Sequence, residues 1–574
     1  MEGLGHPSRV MIDSASSFRH EALRLLQSGR PREAEAVLRR LLLSDMGWAP
    51  AYCLLAQAAH MQGRRMEAVT LAGHAAELAP DLAENHFMLG VALMGMNALE
   101  RAHDAFEAAL RADPSLAEAH LNLGNVDKLQ KRPDAAAEHY RRALELRPAM
   151  AEGHLNLGTL LRDQGDYVGA EQAARRALEA MPGVVGGYLN LGNALSEQGR
   201  YAEAVEAYHR HLEQVPGDVA NWVTLGANLA ALGRRDEALA AHDRAVALAP
   251  DDGLQRFERS VTRLLFGDFA GGWADYECRW SKPSLKAERP NLPGREWRGE
   301  DIGGKTLFVF GEQGYGDNIQ FARYLPLLVE RGAKVVFCSE KTLSSLFEPM
   351  MGRGIQWYDG DGPVPPYHYY VPLLSLPHHF GTLLETIPLP APYLTPSQAR
   401  RDAWRERIAA CKPGKNLKVG LVWTGRPVHG NDKERSLSPD LLKPVLDQRG
   451  ICFFSLQKPS RPGHMEVLQS LGRVHDLSLQ LEDFADTAAA LENLDLLISV
   501  DTAVAHLAGA LGRPAWVLIA RHPDWRWLRE RDDSPWYPSL RLYRQPTKRD
   551  WPSVIARLAE DLSKLVLMEK AKRG

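Results

Sequence analysis

A residue that cannot continue a helix returns six times at one fixed interval. Prolines stand at Pro80, Pro114, Pro148, Pro182, Pro216 and Pro250, each 34 residues after the last. Three further columns keep the same register. The first is glycine, at Gly90, Gly124, Gly158, Gly192 and Gly226. The second is alanine in seven units: Ala34, Ala68, Ala102, Ala136, Ala170, Ala204 and Ala238. The third is Gly29, Gly63, Gly165, Gly199 and Gly233, with Asn97 and Lys131 filling two places. A period of this length commits the chain to stacked copies of one small unit, because a single copy cannot bury its own apolar face. Each column has a cause. Proline stops the second helix of a unit. The Gly/Asn column suits a left-handed residue that closes the first helix. The Gly90 and Ala34 columns are small where two antiparallel helices cross.

These four columns together resemble the tetratricopeptide repeat (TPR) family. The register runs on past the obvious units: 34 after Gly233 stands Gly267, and 34 after His242 stands Tyr276, an aromatic like Phe106, Tyr140 and Tyr208. An array over 15–286 is therefore expected, with seven repeats and a degenerate eighth at 253–286, since terminal units are atypical in such stacks. The resemblance implies an all-α superhelix whose groove suits an extended peptide. The string NLG in three adjacent repeats puts Asn122, Asn156 and Asn190 on one helix face. An asparagine amide both donates and accepts, so the ladder can hold peptide backbone. O-GlcNAc transferases, which are similar in joining TPRs to a glycosyltransferase, use asparagines in this way; the alternative is that Asn is simply common at this position.

At 574 residues the chain exceeds the ~250–300 residues at which one core stops growing, so further domains follow. An apolar share of 45% with 25% charged residues excludes a disordered or fibrous chain. A net charge of −3 supplies no bulk attraction to nucleic acid or anionic lipid. No apolar run reaches the ~18 residues of a membrane span, and MEGLGHPSRVMIDSASS lacks a secretory layout. Five scattered cysteines without a CxxC suggest reduced thiols, a cytoplasmic location, and neither disulfides nor a zinc site.

From Asp301 onward the texture becomes that of βα units, with short apolar strands at 306–310, 334–339, 368–373, 418–424, 451–456, 494–500 and 515–520. A Pro-rich crossover at 388–397 divides them into halves at 301–397 and 415–545, followed by a helix at 546–574. Two doubly wound sheets facing a cleft would bind ligand at the carboxyl ends of their strands.

Three motifs sit at such ends. GEQGYGDNIQFARYLP (311–326) turns tightly into a helix, with Gly316 and Asp317 at its first turn; Asp317 either serves chemistry at the cleft or only caps the helix. KVGLVWTGRPVHGNDKERS (418–436) presents Trp423, Thr424, Gly425, Lys433 and Arg435, and Lys458 joins the same rim. These form a diphosphate clamp or an ordinary solvated loop. In LDLLISVDTAVAHLAGALGRPAWVLIA (494–520) an apolar strand stops at Asp501 and Thr502 caps a small-residue helix. The amides of that helix end, beside Ala503 and with His506 one turn in, suit a phosphate.

Asp501, Thr502, His506 and LAGALGRP resemble the donor motif of bacterial heptosyltransferase-type glycosyltransferases with the GT-B fold, over about 303–545. The resemblance implies that this motif holds the diphosphate of a nucleotide-sugar. It also implies that Asp317 of GYGD is the general base, and that Thr424 and the loop to Arg435 supply hydroxyl and basic contacts. Two departures stand out. Ala503 follows the threonine where the family has glycine, and 522–545 is rich in Trp and Arg (Trp525, Arg526, Trp527, Trp536), side chains that either stack on ligand or pack a domain junction under the C-terminal helix.

No DxD pair directly follows any of these seven strands, so metal-independent transfer is expected, with no cofactor beyond the nucleotide-sugar co-substrate. Closure of the two sheets about 388–415 would exclude water. The joined modules resemble bacterial flagellin O-glycosyltransferases, which implies transfer to Ser/Thr hydroxyls of a protein partner held by the TPR groove, with flagellin as acceptor and a nonulosonic acid as sugar. Two other readings stand beside it: a lipopolysaccharide or oligosaccharide glycosyltransferase whose TPRs assemble a complex, and a non-catalytic TPR adaptor.

Overall fold

The structure is a computed structural model that describes residues 9–573, apart from 44–45, 389–391, 428–429 and 473. Part of the expected crossover (389–391), part of the polar loop (428–429), the first eight residues and Gly574 lie outside the described residues. The chain divides into two compact units, Met1–Pro216 and Gly217–Gly574.

The first unit is a run of helix pairs from Arg9–Gln27 with Pro31–Leu42 to Gly187–Glu197 with Tyr201–Gln214. The residue that turns each pair is left-handed: φ is 69° at Gly29, 73° at Gly63, 87° at Gly165 and 79° at Gly199. Asn97 and Lys131 take φ 60° in the same places, so Lys131 adopts the turn without the freedom of glycine. Second helices end at Leu78, Ala112, Leu146, Ala180 and Gln214, two residues ahead of each proline.

The Gly90 column is explained by a ring rather than by backbone approach. A Cβ at Gly90, Gly124 or Gly192 would stand 2.6, 2.5 or 2.6 Å from Phe106, Tyr140 or Tyr208 of the paired helix. At Gly158 the aromatic is replaced by Ala174, and the nearest atom is Ala173 Cβ at 3.2 Å. Gly192→Ala should therefore cost about 1–3 kcal/mol by overpacking. Gly158→Ala should be close to neutral, because a gain of ~1 kcal/mol in helix propensity offsets a mild clash. Thermal melts of the two variants check the contrast.

The second unit opens with two more pairs, Val219–Ala231 with Arg235–Leu248 and Gly253–Leu265 with Phe269–Tyr276. Gly267 takes φ 79°, so the degenerate eighth repeat turns like the rest. Two all-parallel sheets follow. Strands β1 (Arg295–Glu296), β2 (Thr306–Phe310), β3 (Lys334–Cys338), β4 (Ile355–Tyr358) and β5 (Tyr369–Pro372) order as β1-β5-β2-β3-β4. Strands β6 (Leu417–Val422), β7 (Ile451–Ser455), β8 (Val474–Asp476), β9 (Leu496–Val500), β10 (Ala515–Ile519) and β11 (Leu540–Arg544) order as β11-β10-β9-β6-β7-β8. The seven strands read from apolar runs are present; β1, β4, β8 and β11 are additional. All four lie on the outside of a sheet, where an outer strand is short or carries charge, as LRLYR does in β11.

The closing helix Trp551–Arg573 buries Trp551, Val554, Ile555, Leu558 and Leu562 in the core of the second sheet. Trp525, Trp527 and Trp536 belong to a different core, shared with Trp273 and Phe321. The Trp-rich segment thus packs a junction, but not beneath the C-terminal helix. Among the described residues no helix is long and apolar enough to cross a membrane. The five cysteines are free thiols.

Candidate functional site

β2 and β9 each end in a tight turn and a helix, Tyr315–Phe321 and Ala503–Ala510. These helix starts come from different sheets and meet. A Cβ on Gly316 would stand 2.8 Å from His506 Cδ2, so only glycine lets the acidic turn approach the histidine. Gly509, the small residue of LAGAL, lies under Tyr537, whose Cγ would be 2.4 Å from a Cβ there.

Asp317 does two things at once. Its Oδ2 accepts from the Gly314 N–H at 2.8 Å, which caps its own helix. Its Oδ1 accepts from Arg526, a guanidinium that also donates to Asp524 Oδ1 at 2.9 Å and lies 4.2 Å from the Trp525 ring centre. Burial pushes the Asp317 carboxyl upward and Arg526 opposes the shift. Asp524 is held below the usual range, burial being outweighed by Arg526.

His506 is 5% exposed. Its Nδ1 is 3.1 Å from the Tyr537 hydroxyl, its ring stacks on Trp527 at 5.0 Å, and its Nε2 is 4.0 Å from Asp501 Oδ1. Burial, with Arg526 adding to it, pushes the imidazole down to about 3, so it is neutral at pH 7 and acts as a hydrogen-bonding group rather than a cation. Asp501 is pushed up to about 6 by burial and by Asp524, with Arg435 opposing.

Thr502 occupies the N-cap position but makes no capping bond; its hydroxyl lies 3.1 Å from Ser499 Oγ. No side chain of the N-cap residue closes this helix start, an arrangement that suits an anion there. Asp501, Thr502 and Ala503 are all partly exposed there.

The β6 loop is brought to this site only in part. Arg435 packs on Gly425, where a Cβ would stand 2.6 Å from its Nε, and its charge reaches Asp501. Thr424 is 2% exposed, and its buried hydroxyl has no hydrogen-bond partner, while its N–H donates to Gln457 Oε1 at 2.9 Å. Trp423 is buried in the second sheet's core and its Nε1 donates to His464 Nδ1 at 3.0 Å. Lys433 is exposed on the helix Asp432–Arg435. Lys458 donates to the Leu481 carbonyl, which ties down one donor of the expected clamp.

Hydrogen bonds also link the two halves of the α/β body. Arg323, fully buried, donates to the Trp536 carbonyl at 3.1 Å, and the Tyr393 N–H donates to the Ala510 carbonyl at 3.0 Å, so the sheets are joined across the site. In the array, the asparagine ladder bonds to its own neighbours. Asn156 Nδ2 donates to Asn125 Oδ1 at 2.9 Å, Asn190 Nδ2 to Thr159 Oγ1 at 3.2 Å, and Asn122 Nδ2 to the Glu118 carbonyl at 2.9 Å. Two rungs stitch repeat to repeat. Sequence reasoning missed Tyr537 and Gln457, and did not join Arg526 to Asp317; the segment WRW was the only signal.

The buried imidazoles contribute to the acid limb of stability. His506, near 3, and His242 and His522, both near 4, lie below the ~6.5 of an unfolded histidine. The unfolded chain binds protons first, so this contribution is complete above ~6.5 and is lost as pH falls toward 3–4. Asp501 has the opposite sign: raised to about 6, it favours the fold below ~4 and loses that contribution as pH rises to 6. His506→Asn should reduce the loss between pH 6.5 and 4.5 by about 2–3 kcal/mol, and Asp501→Asn should steepen it. Urea midpoints across that range distinguish the two.

The fold and site define a helical-repeat array joined to an α/β body of two parallel sheets. Tetratricopeptide repeat models match residues 17–40, 87–127, 129–185, 161–229 and 195–256. The helix pairs are thus tetratricopeptide repeats. Protein FlbA of Caulobacter vibrioides (strain ATCC 19089 / CIP 103742 / CB 15) is 30% identical over 343 residues, a match to 55% of this chain and 56% of FlbA. The chain therefore spans little more than half the length of this relative. Among solved structures, YrrB, described as a TPR protein with an unusual peptide-binding site, is 26% identical with a TM-score of 0.29, covering 32% of this chain and 95% of its own. TTC0263 of Thermus thermophilus, a thermophilic TPR protein, is 23% identical with a TM-score of 0.29, covering 32% and 98%.

Proposed function

We propose that the chain is a glycosyltransferase that moves a sugar from a nucleotide-sugar to a hydroxyl of a protein acceptor, the acceptor being captured by the repeats. The observation that carries this reading is the meeting of Asp317 and the Asp501–Thr502 helix start in one buried site, at the carboxyl ends of strands from two parallel sheets. The helix start, the unpartnered Thr424 hydroxyl and Arg435 supply donors for a leaving phosphate. Asp317, raised by burial, suits the removal of a proton from an acceptor hydroxyl once Arg526 turns to another anion. No metal is assigned a role in this scheme. TPR arrays are protein-binding surfaces, which favours a protein acceptor over a free saccharide. Flagellin is the first acceptor to try, on the resemblance of the joined modules.

A second reading has one observation in its favour: Asp317 is already paired with Arg526, as a structural ion pair in a non-catalytic adaptor would be. Intact-mass measurement of flagellin co-expressed with the chain separates the two. A sugar-sized mass increment that needs Asp317 supports transfer. An unmodified acceptor, together with no thermal shift on any of the UDP-, ADP-, GDP- and CMP-sugars, leaves the adaptor.

A further inference from the structure

The eighth repeat departs from the others at the end of its second helix, Phe269–Tyr276, which runs into a 3-10 turn, Glu277–Ser281. Two side chains from this stretch reach consecutive residues of the acidic turn. Arg279, wholly buried, grips Glu312 with both ends of its guanidinium: Nε donates to Oε2 and Nη2 to Oε1, each at 2.8 Å. The same Nη2 donates to Ser375 Oγ at 2.9 Å, and the Leu374 N–H donates to Glu312 Oε1 at 3.2 Å. The Tyr276 hydroxyl then accepts from Gln313 Nε2 at 3.0 Å. Gln313 has φ 61°, a conformation a glutamine holds only when its surroundings impose it. Next come Gly314, whose N–H caps onto Asp317, and Asp317 itself.

We propose that the last repeat is a clamp for the acidic turn, in which Arg279 and Tyr276 are positioning residues that fix Glu312 and Gln313 and so set where Asp317 stands. This deepens the transferase reading and rests on it for the role of Asp317. Tyr276 fills the aromatic column that in repeats three, four and six packs against a glycine, so a residue of the repeat pattern also serves the catalytic body. The bidentate pair is a strong, geometrically specific contact, and the Tyr276–Gln313 bond is made by the strained residue itself.

Tyr276→Phe in the full chain removes the hydroxyl and keeps the ring. The expected result is about tenfold faster amide hydrogen exchange confined to 312–318, with kcat for transfer reduced about tenfold and donor KM unchanged. Gln313→Met should give the same local exchange, and the double variant should exchange no faster than either single one. Normal exchange at 312–318 in Tyr276→Phe, or single effects that simply add, would overturn the clamp. The exchange readout needs no substrate. Loss of the clamp with an active enzyme therefore leaves the transferase reading intact, whereas wild-type transfer by Asp317→Asn removes the assignment of Asp317 as base without touching the clamp.

Discussion

If the chain is the proposed transferase, Asp317→Asn should lower kcat for sugar transfer by about 10³ while donor KM stays within a factor of a few, the loss expected when a positioned base is removed. Asparagine is the better probe than alanine here. Asp317 accepts from Gly314 and from Arg526, and alanine would withdraw one acceptor from a guanidinium whose side chain is only 8% exposed. Removing one partner of a buried pair costs about 3–5 kcal/mol, which would confuse instability with lost chemistry. Asparagine keeps a carbonyl for Gly314 or Arg526, and Asp524 remains to hold the arginine. Single-turnover rates at fixed donor, with the melting temperature recorded alongside, check the prediction. Wild-type turnover in Asp317→Asn would mean that Asp317 is only the cap and anchor of its helix.

The repeats were legible residue by residue because their constraints are local. A left-handed turn, a helix stop and a glycine beneath an aromatic ring each act over a few residues, and the 34-residue period carries them along the chain. The eighth repeat could be read from Gly267 and Tyr276 for the same reason. The strands buried on both faces were equally plain, since TLFVF and LLISV have no polar side to hide. What the sequence did not disclose is pairing at a distance. Arg526 and Asp317 are 209 residues apart, and neither announces the other. Nothing in the sequence around Thr502 and Trp423 names their partners, Ser499 and His464. The asparagine ladder is the instructive case: a column at perfect spacing reads equally well as a ligand surface or as repeat-to-repeat bonding, and the bond from Asn156 to Asn125 could not be read from the spacing.

Trp273→Ala has the largest expected effect on stability, about 4 kcal/mol. Trp273 is 2% exposed, and its indole N–H donates to the Thr382 carbonyl at 3.0 Å. Its ring meets Phe321 of the first sheet's helix at 6.2 Å, and Trp525 and Trp536 of the segment between β10 and β11 at 5.3 and 6.4 Å, mostly edge-on. One side chain of the last repeat is therefore wedged between the two sheets at the site where Asp317 meets Arg526. Truncation opens a cavity there and orphans a buried carbonyl, and neither neighbour can collapse into it without moving the other. Scanning calorimetry should show the Gly217–Gly574 transition falling by about 5 °C, while that of Met1–Pro216 is unmoved. Trp516→Ala on β10, a half-buried ring 5.3 Å from Tyr543, should cost less. Equal losses would reduce Trp273 to ordinary core. It also follows that a truncation meant to remove acceptor capture should end at Pro216 rather than Pro250. Cutting at Pro250 would discard Ala230, whose carbonyl accepts from Arg529 in the segment that bears Arg526.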